Sequence, residues 1–259
     1  MNPRFHVKLP LQAELLLTLP PGAARHVQVL RLQPGSLITL FNGHGEQDEE
    51  WRCEVLRMGR SEVDVRVLAR VPVAREMAVQ VSLAVGMPAN DRMDGLVEKA
   101  TELGATAVQP LMCERSVLRL TGDRAQKKVA HWQGVAVAAC EQSGRTQATQ
   151  ITQVASLADW LKSLPPAADN ELRCVLSLRE SQPWAALQTR LLHVTQIKFL
   201  SGPEGGLTEA EEALALQHGF VATSLGPRVL RADTAPLAVL AALSLSLPLS
   251  PTNDSDSNA

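Results

Sequence analysis

Hydrophobic positions follow two different periods in this chain, and the change falls at Val71-Pro72. Upstream, Glu62-Val63-Asp64-Val65-Arg66-Val67 alternates strictly, the mark of a strand with one buried face. Ser36–Phe41 and Trp51–Met58 read as further strands around a turn at Asn42-Gly43-His44-Gly45. One helical stretch, Arg25–Leu32, ends at the Pro34-Gly35 break. Strand and turn at this density predict a small β-barrel over residues 1–72.

Downstream, Val79–Val85 is a continuous apolar run, as expected of a strand covered on both faces. Asn90 or Asp91 caps a helix whose Met93, Leu96, Val97, Ala100 and Leu103 share one side. Gly104 takes the left-handed position after that helix, and Ala107–Met112 returns as a strand, which makes a βαβ unit. A long helix over Asp123–Cys140 follows, then a short one announced by Ser156 and Asp159. Strands at Leu172–Leu178, Ile197–Leu200 and Val221–Leu225 and a last helix, Thr234–Leu247, complete an α/β region with a mostly parallel sheet over residues 73–248. The polar tail, residues 249–259, is expected to be disordered.

Composition alters this picture little. With 45% hydrophobic and 20% charged residues the chain reads as soluble and globular. Ala235–Leu247 is too short to span a bilayer and no signal-like run opens the chain, so a cytoplasmic protein is expected. Cys53, Cys113, Cys140 and Cys174 form no CxxC pair and read as buried thiols in a reducing compartment. The histidines show no ligand-like spacing, so no metal site is expected. The net charge of -2 does not advertise a nucleic-acid binder, although residues 1–75 carry 10 Lys/Arg against 8 Asp/Glu. Aromatic residues at 3%, with no tyrosine, argue against a base-stacking platform.

Two loops carry the chemistry. Ser201-Gly202-Pro203-Glu204-Gly205-Gly206-Leu207-Thr208 lies between a strand and a helix whose start is fixed by the Thr208…Glu211 capping box. Its glycines permit positive φ and close approach of a ligand to the backbone, and strand carboxyl ends are where parallel sheets bind ligands. The spacing is neither a Walker loop nor GxGxxG, and alone this loop reads as a plain turn. The second, Ser224-Leu225-Gly226-Pro227-Arg228-Val229-Leu230-Arg231, again follows a strand and precedes a helix capped by Asp233 or Thr234. Arg231 stands before that helix, free for an anion or paired with Asp233. A pair of such loops on neighbouring strand ends weighs against plain turns.

GPEGGLT followed by SLGPRVLRADTA resembles the bacterial 16S ribosomal RNA uridine N3-methyltransferases (RsmE-type) of the SPOUT class. Asp91-Arg92-Met93-Asp94, Glu98–Gly104, Glu114-Arg115-Ser116 and Ala139–Arg145 match the family's segments in order, and Arg4-Phe5 with His26–Arg31 resembles its PUA-like domain. The resemblance implies an N-terminal PUA-like recognition domain and a C-terminal trefoil knot. It also implies a homodimer acting on 16S rRNA in the small ribosomal subunit. It implies S-adenosylmethionine as cofactor, held by Leu178 and by Gly202, Pro203, Glu204, Gly205 and Gly206 of the first loop. From the second loop and the last helix it implies Leu225, Gly226, Pro227, Leu230, Thr234 and Ala235. Arg231 is the candidate catalytic residue, stabilising the uracil anion or anchoring the nucleotide. Arg4, His26, Arg31, Arg115, Glu141 and Arg145 are candidates for RNA contact; Lys99 and Glu102 read equally as helix surface. Ala232 and Asp233 replace the family's usual Thr and Glu, and Ala89 a frequent lysine. Those departures alone favour the alternative of a catalytically weakened RNA-binding or ribosome-assembly factor; an unrelated nucleotide-binding α/β enzyme is a third reading.

Overall fold

A computed structural model describes residues 2–43, 49–89, 92–191 and 193–250, and the chain forms two compact units. The expected cap at Asn90 or Asp91, the turn beyond Gly43 and the tail from residue 251 lie outside the described residues.

The first unit takes the chain up to Glu76 together with Cys140–Ala148 and the described C-terminal residues Leu249 and Ser250. Its strands are β1 (Arg4–His6), β2 (Leu16–Thr18), β3 (Leu37–Phe41), β4 (Glu49–Met58) and β5 (Val63–Pro72). They form one sheet in the order β1-β3-β4-β5-β2, with β1 parallel to β3 and the other pairs antiparallel. The strict alternation is realised in β5: Val63, Val65 and Val67 are fully buried while Arg66 faces solvent. Helix α1 runs over Pro21–Val29 and begins earlier than its apolar period alone suggests. Pro21 in the first turn is already set to helical φ, and Ala23, Ala24 and Val27 turn inward onto Phe5, Ile38 and Leu40.

The second unit is Met77–Ala139 with Thr149–Pro248. It contains strands β6 (Gln80–Gly86), β7 (Ala107–Met112), β8 (Gln150–Ile151), β9 (Ala155–Ser156), β10 (Glu171–Leu176), β11 (Gln182–Pro183), β12 (Gln196–Ser201) and β13 (Val221–Ser224). The helices are α2 (Arg92–Glu102), α3 (Gly122–Ser143, its last residues counted with the first unit), α4 (Leu157–Ser163), α5 (Gln188–Leu191), α6 (Glu209–Gln217) and α7 (Thr234–Ser246). The sheet runs β11-β13-β10-β12-β6-β7-β8, β9 also pairs with β7, and every pair is parallel. Its central strands are apolar on both faces because both are covered. Val81, Leu83 and Val85 meet Met93, Leu96, Trp132 and Leu240 on one side. On the other, Ala84 joins Leu111, Leu200, Leu161 and Ala215. One expectation is corrected here: β12 and β13 are not neighbours, because β10 is inserted between them.

Candidate functional site

The loops leaving the carboxyl ends of β10, β12 and β13 ring a cavity of about 510 Å³. The loop after β12 is the most tightly determined. Thr208 caps α6 by accepting the Glu211 N–H at 3.2 Å, while the Glu211 carboxylate accepts the Thr208 N–H at 2.9 Å. Glu211 also accepts the Glu114 N–H at 2.7 Å, which ties the turn after β7 to the same helix start. A Cβ on Gly202 would stand 2.7 Å from the Leu207 nitrogen, and one on Gly86 would stand 2.5 Å from Pro203, so both must be glycine. Gly206 needs its freedom for a different reason, a φ of +68° in open space. The Glu204 carboxylate accepts the Ala89 N–H at 3.0 Å and lies 3.5 Å from Arg92; Arg115 donates to the Gly205 carbonyl at 2.9 Å.

Gly202, Pro203, Glu204, Gly205 and Gly206 all line the cavity. So do Leu178, Leu225, Leu230 and Ala235, with Arg231 and Arg115 among them. Gly226, Pro227 and Thr234 do not. Gly226 instead turns the second loop with φ +110°, braced by the Ser224 hydroxyl, which accepts its N–H at 3.2 Å. The expected side-chain cap on α7 is also absent: Asp233 occupies the cap position without a cap hydrogen bond. The Arg231 carbonyl accepts the N–H groups of Thr234 and Ala235 instead, each at 3.0 Å. No ion pair joins Arg231 to Asp233 among the described residues.

Sequence reading missed most of the wall that the inserted β10 provides. Ser177 accepts the Arg179 N–H at 3.0 Å and donates to Glu212 at 3.1 Å, and all three residues line the cavity. Arg92, Arg228 and Ser201 were missed as well. A general signal existed, since Ser177–Arg179 directly follows a parallel strand, but no motif marks it. The walls suit an adenosine- and amino-acid-bearing ligand: glycine backbone on one loop, apolar Leu178, Leu225 and Leu230 beside it, and carboxylates at Glu204 and Glu212. Ser201, only 3% exposed, also lines the cavity, and its hydroxyl has no partner among the described residues.

Of the first-unit candidates for RNA contact, Arg4, Glu141 and Arg145 are turned inward. Arg4 and Arg145 are buried, and their charges are satisfied internally. Arg4 donates to Glu50 and to the carbonyls of Cys140, Glu141 and Arg145, closing the end of α3; Arg145 pairs with Glu76. A buried, fully engaged guanidinium does not reach a phosphate. Glu141 is likewise turned inward, accepting the His6 N–H at 2.9 Å with His26 Nδ1 at 3.5 Å. Burial raises its carboxyl above the usual range although those partners oppose it. His26 is half exposed and sets its ring edge-on to Phe5; Arg31, exposed with φ +53°, stays open to solvent. Lys99 is on the helix surface, bonded to Glu98 and Glu102 at 2.8 Å each. The four cysteines are buried, and burial pushes the thiols of Cys53, Cys113 and Cys140 up to about 12 and that of Cys174 to about 11.

Residues 75–244 match the RNA methyltransferase domain family, and residues 19–68 match the RNA methyltransferase PUA domain. The chain belongs to this RNA methyltransferase family. It is 34% identical to ribosomal RNA small subunit methyltransferase E of Bacillus subtilis, over 84% of this chain and 85% of that one. The Synechocystis protein of the same name is 33% identical over 88% of this chain and 72% of its own. Among solved structures of the RNA methyltransferases, the Neisseria gonorrhoeae ribosomal RNA small subunit methyltransferase E bound to S-adenosyl methionine superposes with a TM-score of 0.85. It is 31% identical and the match covers 95% of this chain and 98% of that one. A putative methyltransferase from Legionella pneumophila, also with bound cofactor, superposes equally well at 31% identity.

Proposed function

We propose that this RNA methyltransferase transfers a methyl group from S-adenosylmethionine to N3 of a uridine in 16S rRNA of the small ribosomal subunit. It does so as a cytoplasmic homodimer. The observation that carries the reading is the glycine-backbone cavity at the strand ends, in a chain whose relatives of the same fold hold this cofactor. S-adenosylmethionine supplies an activated methyl on a sulfonium. The protein's own contribution is positioning and charge. The loop Gly202–Gly206 and residues Leu178, Leu225, Leu230 and Ala235 hold the cofactor, with Ser201 offering its unfilled hydrogen bond. Gly226, Pro227 and Thr234 act through the shape of the second loop rather than by contact.

Uracil N3 must lose a proton, so negative charge develops on the ring as the methyl arrives. Arg231 lines the cavity with no ion-pair partner among the described residues, and its guanidinium stabilises that charge or holds the nucleotide in line. The first unit serves RNA recognition through its exposed side chains, Arg31 and His26 among them. In the SPOUT class α7 is the element that completes a trefoil knot, and we assign it that part here.

Arg231→Ala is the test. Calorimetric titration should give an S-adenosylmethionine affinity close to wild type. Methyl transfer from labelled cofactor to unmodified small subunits should fall by about 100-fold or more, the usual cost of losing one charge-stabilising donor. Wild-type turnover in the variant removes Arg231 from the reaction, and methyl mapped to a ribose or another base removes the uridine N3 assignment.

A further inference from the structure

The cavity lining is rich in arginine. Five arginines line it: Arg92, Arg115, Arg179, Arg228 and Arg231. The two glutamates that share the lining are already engaged, Glu204 with the Ala89 N–H and Arg92, and Glu212 with Ser177. Arg228 and Arg231 make no ion pair or side-chain hydrogen bond among the described residues. Between them Val229 stands 82% exposed, and Leu178, also in the lining, is 55% exposed. Water-exposed apolar side chains alternating with unpaired cations suit a ligand that is itself alternately apolar and anionic. A single nucleic-acid strand is such a ligand: phosphates seek arginine, and base faces seek apolar surface.

We infer that the loop Arg228–Arg231 is the element that extracts the target nucleotide. Arg228 holds a backbone phosphate, and Val229 enters the stack at the place the base has left. Enzymes acting on a buried base atom take the base out of its stack, and apolar wedges serve to keep stacks parted. The geometry fits because the wedge and the proposed anion-stabilising Arg231 belong to one short loop. A base leaving at Val229 therefore enters the cavity beside Arg231. A two-fold contact between copies is the other use of an exposed valine, but it would set this arginine-rich rim against its own image.

The inference rests on the methyltransferase reading, and the experiment separates the two. Arg228→Ala, Val229→Ser and Val229→Leu are compared with wild type in S-adenosylmethionine binding, in sedimentation, and in transfer of labelled methyl to unmodified small subunits at several salt concentrations. Arg228→Ala should raise KM for the subunits and lower the slope of log affinity against log salt by about one, the signature of one lost phosphate contact. Val229→Ser should reduce kcat/KM for the subunits severalfold while Val229→Leu retains it, with cofactor affinity and oligomeric state unchanged throughout. Wild-type kcat/KM in both Arg228→Ala and Val229→Ser overturns the inference and leaves the reading of the site intact. Dissociation of the Val229→Ser protein into monomers overturns it in favour of a subunit contact. A wild-type protein that transfers no methyl overturns the reading of the site, and the inference with it.

Discussion

Arg145 and Arg231 are the same side chain in opposite settings. Arg145 is 5% exposed and bonded to Glu76, whose carboxylate also accepts the N–H of Thr146 at 3.0 Å and of Gln147 at 3.2 Å. Removing one member of a buried pair strands the other charge. Arg145→Ala should therefore destabilise the protein by about 3 kcal/mol or more in denaturant unfolding. An arginine that served only as an RNA contact would lose affinity and leave the unfolding midpoint in place. Glu171 gives the pH counterpart. Burial alone would raise its carboxyl, but Arg173 and Lys198 hold it below the ordinary glutamate value. The stabilisation is thus complete above the unfolded value of about 4.3 and lost as pH falls through the native one. Glu171→Gln should unfold more readily at neutral pH and lose less on acidification, as thermal melts across that range will show. None of this was legible in the sequence, where a buried arginine and a phosphate-binding one are written alike.

At the scale of elements the sequence spoke clearly wherever a period or a cap is local. The alternation of β5, the one-sided α2 and the Thr208…Glu211 box all appear where expected. Adjacency in the sheet did not appear, because the order β13-β10-β12 depends on long crossovers and no local pattern records it. The site was accordingly legible as two loops, while its third wall was not. Glycines separate into kinds that the sequence also cannot tell apart. Gly202→Ala must displace the loop backbone and should weaken S-adenosylmethionine binding in a calorimetric titration. Gly95→Ala, exposed on α2 with nothing near its added carbon, should raise stability by about 0.5–1 kcal/mol. An unchanged cofactor affinity in Gly202→Ala would show the loop to be softer than its contacts imply.

For the whole molecule, α7 bears on the proposed dimer. It is apolar nearly all round: Pro236, Val239, Leu240 and Leu243 are buried, while Ala238, Ala241, Ala242 and the 88% exposed Leu245 form a second stripe at the same spacing. Leu245→Glu should convert the dimer to a monomer in sedimentation; a dimer that survives it is built on another surface. Arg4 is made well before the carbonyls it grips, which lie 136 to 141 residues downstream. The amino-terminal unit is thus begun first and finished late, waiting on the order of ten seconds at ordinary elongation rates for Cys140–Ala148 to be synthesised. Nascent chains arrested before Cys140 should have an amino-terminal unit open to protease. Those that expose Ala148 should have it closed.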